Sequence, residues 1–421
     1  MKMGVYTSAL LSLMIMLSCV TIGSADGSEL KDSQRAKNVI LMIGDGMGIS
    51  QETMARIEKA GWNLSRYADT RLYMDSMEHT GILRTFSANS FVTDSAPAST
   101  AMATGHKTNN GVIGQDATAI PGIRDGRNLT TILELAERAG LSTGVVTTTR
   151  ITHATPAAFY AHVDNRDNES EIAEQLLTSG VEVALGGGMS YFIGKNDTSP
   201  LGGKGKRTDD RNLIETATAL GYTFVYNGTT FRGLDANSTE RLLGIFENSH
   251  MEYELVRARS SDPDPSLAEM TEKAIYLLSK NPKGFFLMVE GGRIDHACHE
   301  RSLENATMDT LAFDEALGKA LNFAMKNKDT LVIVTADHEC GGLIIQPENL
   351  ESYESGGIMP VFGSGTVEIK SPKCNFLVEM DEATHTGADV TIRATGPGAG
   401  SVHGLMDNTQ VFSLVKEAIG L

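Results

Sequence analysis

The sequence predicts an α/β fold built on a large, mostly parallel sheet with helices on both faces. Short, wholly apolar runs such as 39–43 (VILMI) and 285–289 (FFLMV) recur along the chain, as expected of strands buried on both faces. Between them lie stretches with apolar residues at helical spacing, and strand–helix alternation of this kind builds parallel βαβ units. Three of the runs end in acids or histidine, at Asp45, Glu290 and Asp337-His338, where such sheets gather functional groups.

Taken in order, KNVILMIGDGMG (37–48) is an apolar strand closing in a glycine-rich turn that carries Asp45. NLTTILELAERAG (128–140) reads as an amphipathic helix with a glycine stop, and LSTGVVTTT (141–149) as a β-branched buried strand. A helix near 169–178 precedes VEVALGGG, one near 267–280 precedes GFFLMVEGG, and one near 302–325 precedes DTLVIVTADH. Residues 190–265 are richer in glycine, asparagine and charge, and read as an insertion or lid. No repeat or linker divides the chain, so 26–421 is expected to form one catalytic domain.

Bulk properties narrow the function. The 421 residues, 41% hydrophobic and 21% charged, are enough for one large globular core. Lys and Arg number 36 against 53 Asp and Glu, a net charge of −17 with no basic cluster, which argues against nucleic acid and anionic membrane surfaces as partners. Lys2, the apolar ALLSLMIMLSCV and the small residues ending at Ala25 form an export signal over 1–25, too short to remain as a membrane span. The mature protein is therefore expected in the periplasm or outside the cell, with no transmembrane anchor and with Cys19 open to lipid attachment. Cys298, Cys340 and Cys374 would remain, an odd and irregular set that makes no disulfide framework. Seven N-x-S/T sequons permit glycosylation.

The chemistry-bearing residues admit competing readings when taken singly. Thr93-Asp94-Ser95 opens a run of small residues, so Asp94 or Ser95 is either a helix N-cap or a nucleophile placed at a helix start. Asp45 between glycines is an Asx-turn or a presented carboxylate. Glu290 at the end of an apolar strand requires a cation if buried. Asp295 and His299, four apart, share one face of a helical segment and suit one metal ion, with Cys298 a softer competitor. Asp337-His338, His385, and His153 with Thr155 complete the set, whereas the histidines at 79, 106, 162, 250 and 403 read as surface or capping residues. Hard oxygens mixed with imidazoles suit Zn²⁺ with Mg²⁺ nearby.

Together IGDGMG, TDSAPASTAMATG, TTTRITHATPAAFYAHVDNR, VEGGRIDHACHE, TLVIVTADHE and THTGADV resemble, in order, the signatures of metal-dependent alkaline phosphatases. The resemblance implies a three-layer α/β/α sandwich, a homodimer, and hydrolysis of small phosphate monoesters at alkaline pH. It implies that Ser95 is the nucleophile that becomes phosphoserine. Asp295, His299 and His385 would hold one zinc, and Asp337, His338, Asp45 and the Ser95 oxygen a second. Asp45, Thr155 and Glu290 would hold a third ion, normally Mg²⁺. Arg166, oriented by Asp94, would clamp two phosphate oxygens, although in DNRDN it also reads as a surface arginine. Two positions depart from the pattern: His153 where bacterial members often have Asp, and Cys340 where many have His or Thr. With His153 beside it, the third site loses a negative charge and Zn²⁺ becomes an alternative occupant.

Overall fold

A computed structural model describes residues 35–261, 263–346, 359–363, 366–371, 374–379 and 383–421. The expected signal at 1–25, Cys19 included, lies outside the described residues.

Ten strands form the central sheet: β1 (Asn38–Gly44), β2 (His79–Arg84), β3 (Ser142–Arg150), β4 (Val183–Gly187), β5 (Tyr222–Val225), β6 (Arg241–Ile245), β7 (Phe285–Gly291), β8 (Thr330–Thr335), β9 (Val390–Thr395) and β10 (Gly404–Asp407). Their spatial order is β10-β2-β9-β8-β1-β7-β3-β4-β6-β5. All pair in parallel except β9, which runs antiparallel to both β2 and β8. The mostly parallel sheet expected from the apolar runs is therefore present. β1, β7 and β8 are buried at every residue, as a sheet covered on both faces requires.

Local chemistry explains the helix boundaries. Thr131 and Glu134 form a reciprocal capping box at the start of Ile132–Ala139, and Gly140 closes it in the left-handed conformation at φ 78°. Ser266 and Glu269 repeat the capping box at Leu267–Leu278. The helix Leu303–Lys326 packs along β8 and against Leu267–Leu278. Within 190–265, β5 and β6 form one edge of the central sheet. Cys298 and Cys340 are buried free thiols. Among the described residues, no helix is long and apolar enough to cross a membrane.

Candidate active site

Adjacent strands bring the acids together. Ile43 of β1 is in register with both Glu290 of β7 and Thr335 of β8, so Asp45 and Asp337 leave the sheet at one level. β3, on the other side of β7, ends just before His153 and Thr155. Gly46 adopts φ 71°, and its N–H donates to Asp337 Oδ1 at 3.1 Å, tying the two strand ends together. Asp45, Glu290, Asp337, His338 and Thr155 have no exposed surface, and Asp295 is 4% exposed.

Ser95 is the first residue of the helix Ser95–Thr104, and Asp94 is its N-cap, accepting from Ala96 N–H at 2.7 Å. Both readings of the step are thus realised in neighbouring residues: the aspartate caps, which leaves the serine hydroxyl free for other partners. Ser95 Oγ lies 3.2 Å from His338 Nε2. Asp94 also accepts from Gly111 N–H and pairs with Arg166 Nη1 at 3.2 Å. Arg166 Nη2 is 2.8 Å from His153 Nε2, so its guanidinium is fixed at both arms rather than free on the surface.

The donor atoms converge in three groups: Asp295, His299, Cys340 and His385; Asp45, Asp337 and His338; and Asp45, His153 and Glu290. His299 Nδ1 is 2.6 Å from Ala383 O, and His385 Nδ1 is 2.9 Å from Thr93 O. Those carbonyls fix each ring proton on Nδ1 and leave the two Nε2 lone pairs facing each other at 3.1 Å. Asp295 adds its oxygens at 3.3 Å from His299 Nε2 and 3.4 Å from His385 Nε2. Lone pairs so arranged repel unless a cation lies among them. The other groups give the same indication. Asp45 Oδ1 and Oδ2, Glu290 Oε1, Asp295 Oδ1, Asp337 Oδ2, His338 Nδ1, His153 Nδ1 and Thr155 Oγ1 are buried without a hydrogen-bond partner. Buried polar atoms are rarely left this way, and the orphaned carboxylate oxygens among them fit metal ions, whereas His153, whose Nε2 accepts from Arg166, turns an N–H at Nδ1 into the cluster.

Charge shifts agree. Burial first, then the charges of Asp337, Asp295 and Glu290, push the Asp45 carboxyl well above its usual range. Burial likewise lifts Glu290 to about 7. Bare, the acids repel one another; cations would relieve them.

Every candidate site residue lies within this assembly, and sequence reasoning missed several of its neighbours. Thr147 and Thr149 donate to Glu290 Oε2, although in sequence they read only as strand formers. His250 and His296 pack against His153. Cys340 rather than Cys298 joins the first ligand group; Cys298 Sγ instead lies 3.6 Å from Gln51 Nε2.

A parallel sheet that presents buried carboxylates, imidazoles and a serine hydroxyl at its strand ends defines a metal-dependent hydrolase of the phosphoryl-transfer type. The alkaline phosphatase family profile matches residues 36–355 and 368–421, and the chain belongs to that family. It is 35% identical over 438 residues to the alkaline phosphatase of Escherichia coli strain K12, covering 93% of this chain and 88% of that one. The solved alkaline phosphatase of the Antarctic bacterium TAB5 superposes with a TM-score of 0.75 at 30% identity, covering 92% of this chain and 99% of that one. A His-to-Asp variant of the TAB5 enzyme, described with Mg bound in its M3 site, gives a TM-score of 0.73 at 28% identity, with 92% and 98% covered. The protein is accordingly a phosphomonoesterase.

Proposed function

We propose that this enzyme hydrolyses small phosphate monoesters at alkaline pH by two displacements, with Ser95 carrying the phosphoryl group between them. One observation supports this above the rest: the Ser95 hydroxyl stands at a helix start, 3.2 Å from His338, amid orphaned ligand atoms. Asp295, His299 and His385 would hold one zinc; Asp45, Asp337 and His338, with the Ser95 oxygen, a second; and Asp45, Glu290 and Thr155 a third ion, Mg²⁺ or, because of His153, Zn²⁺. When bound, these ions supply Lewis-acid stabilisation of the entering and leaving oxygens and make the serine alkoxide accessible.

The protein's own residues do the rest. Arg166 binds two non-bridging phosphate oxygens in bidentate fashion, which a planar guanidinium does better than an ammonium. Asp94 aims Arg166 and holds the helix start that carries Ser95. In the first displacement Ser95 Oγ bonds phosphorus and the ester oxygen leaves with its alcohol. In the second, water attacks phosphoserine, orthophosphate departs and the hydroxyl is restored.

The full reading is one catalytic domain over 26–421, exported by residues 1–25 to the periplasm or beyond, with no transmembrane helix among the described residues, and working as a homodimer. Turnover of 4-nitrophenyl phosphate beside the bis-ester and the sulfate ester tests the function. Preference for the monoester, lost on chelation and restored by Zn²⁺ and Mg²⁺, is expected; preference for either other ester contradicts it.

A further inference from the structure

Of the three residues proposed to hold the first zinc, His385 alone lies outside a helix. Asp295 and His299 stand on the helix Arg293–His299, and Asp337 and His338 of the second group follow directly on β8. His385 instead opens a two-residue strand, His385–Thr386, paired antiparallel with Glu339–Cys340. So short a pairing holds a ring loosely, and a metal ligand needs its rotamer locked by its surroundings.

Glu339, next to His338, supplies that lock. Its buried side chain accepts four hydrogen bonds. Oε1 accepts from Gln51 Nε2 at 3.0 Å and from the Leu343 N–H at 3.3 Å; Oε2 accepts from the Gly342 N–H at 3.3 Å and from the Thr386 hydroxyl. Every partner donates, so both oxygens are filled as only a carboxylate's can be. Gln51 extends the tie, because the same Nε2 donates to Cys340 O at 2.8 Å and lies 3.6 Å from Cys298 Sγ, beside His299. The helix Ile49–Lys59, the helix bearing Asp295 and His299, and the strand bearing His385 thus meet at one buried carboxylate–amide pair. Gly48 leaves room for it, since a Cβ there would lie 2.3 Å from Glu339 Cγ. Neither Glu339, Gln51 nor Thr386 has a part in the two displacements proposed above.

We propose that Glu339 is the positioning residue of the first zinc site, fixing His385 through the Thr386 hydroxyl. His385 Nε2 is thereby held 3.1 Å from His299 Nε2 and 3.4 Å from Asp295 Oδ1, where one cation can take all three donors. The second group has ties of its own: Asp337 Oδ1 accepts from the N–H groups of Gly46 and His338, at 3.1 and 2.9 Å. Groups that orient a ligand from outside change metal affinity by about 10–100-fold. The inference rests on the ligand sets proposed above and adds to them a residue they do not contain.

The test is a titration of metal-stripped enzyme with Zn²⁺ in competition with a chromogenic chelator, at saturating Mg²⁺. Thr386→Val, which removes the hydroxyl at nearly constant shape, is expected to weaken one zinc per chain by about 10–100-fold and leave the other within about twofold. Thr386→Ser should restore the wild-type titration. Glu339→Gln, whose amide cannot accept from all four donors, should repeat the loss. In a His299→Ala background, which disables the first site, Thr386→Val should leave the remaining zinc unchanged. An unchanged titration in Thr386→Val or Glu339→Gln, no recovery in Thr386→Ser, or further loss in the His299→Ala background would overturn the positioning role. So would equal weakening of both zincs, which marks a contact that only stabilises the fold. A wild type that binds fewer than two zincs, or turns over no monoester, would overturn the proposed function instead.

Discussion

Arg166 Nη2 and His153 Nε2 are 2.8 Å apart, so the proposed phosphate clamp and the imidazole beside the third cation group form one hydrogen-bonded unit. Because arginine only donates, His153 accepts at Nε2 and carries its proton on Nδ1, a buried atom with no partner. Asp45 and Glu290 thus face an N–H where a carboxylate would add negative charge, an arrangement poor for a hard ion such as Mg²⁺. Dialysis is expected to lower activity, Mg²⁺ to restore it, and excess Zn²⁺ to inhibit. His153→Asp should tighten Mg²⁺ binding by about tenfold or more, since one added charge in a half-screened site contributes upward of 1 kcal/mol. Identical Mg²⁺ titrations of variant and parent would place His153 outside the third site.

Arg166 sits in a partly buried pair with Asp94, where losing the partner of a bound anion is costly. Arg166→Ala should weaken inhibition by inorganic phosphate and lower kcat/KM by about 2–4 kcal/mol. Phosphate inhibition equal to wild type would return this arginine to a surface role.

Gly46 is the turn that makes the site close. Its φ of 71° disfavours a side chain, and a Cβ there would lie 2.9 Å from Asp295 Cα and from Cys340 Cβ. Gly46→Ala should cost about 1–2 kcal/mol from the left-handed backbone alone, and more as Asp295 is displaced. Thermal melts and zinc content should both fall; a variant with unchanged metal content would show that the turn tolerates a methyl group.

The carboxylate cluster gives metal-dependent stability a definite pH dependence. Burial raises Glu290 from 4.5 to about 7, so across that window the stripped folded protein holds a proton that the unfolded chain has released. Stability from this group is present below pH 4.5 and lost as pH rises to about 7. Cations need the deprotonated form, so their stabilising effect grows over the same range. The difference in melting temperature between metal-loaded and chelator-stripped protein should be wider at pH 8 than at pH 5. A narrower difference at pH 8 would contradict this.

Much of the framework was legible because its signals are local. β1, β7 and β8 are continuous apolar runs, and their position in the middle of the sheet is why no polar face interrupts them. The glycine stop at Gly140 ends its helix as read, whereas the capping box at Thr131 starts it only at Ile132, inside the 128–140 stretch that reads as helical. The end of the sheet was harder: the edge strand β5 and its neighbour β6 are only four and five residues long and lie in a stretch whose glycine and asparagine content suggested an insertion. β9 follows THTGAD, a stretch whose polar character hides the antiparallel strand behind it. At the site, the strand-end acids announced themselves, whereas His250 carries no local signal at all. It is brought to His153 and His296 only by the tertiary path of the loop after β6, which no periodicity encodes.

The central claim is that Ser95 receives the phosphoryl group. Enzyme loaded with Zn²⁺ and Mg²⁺, incubated with labelled phosphate or a monoester and quenched in acid, should carry phosphate on the peptide containing Ser95. Ser95→Ala should abolish that label and lose most turnover while retaining its zinc, since Asp45, Asp337 and His338 remain in place. Label on Thr93, Ser99 or a histidine, or full turnover by Ser95→Ala, would contradict the account.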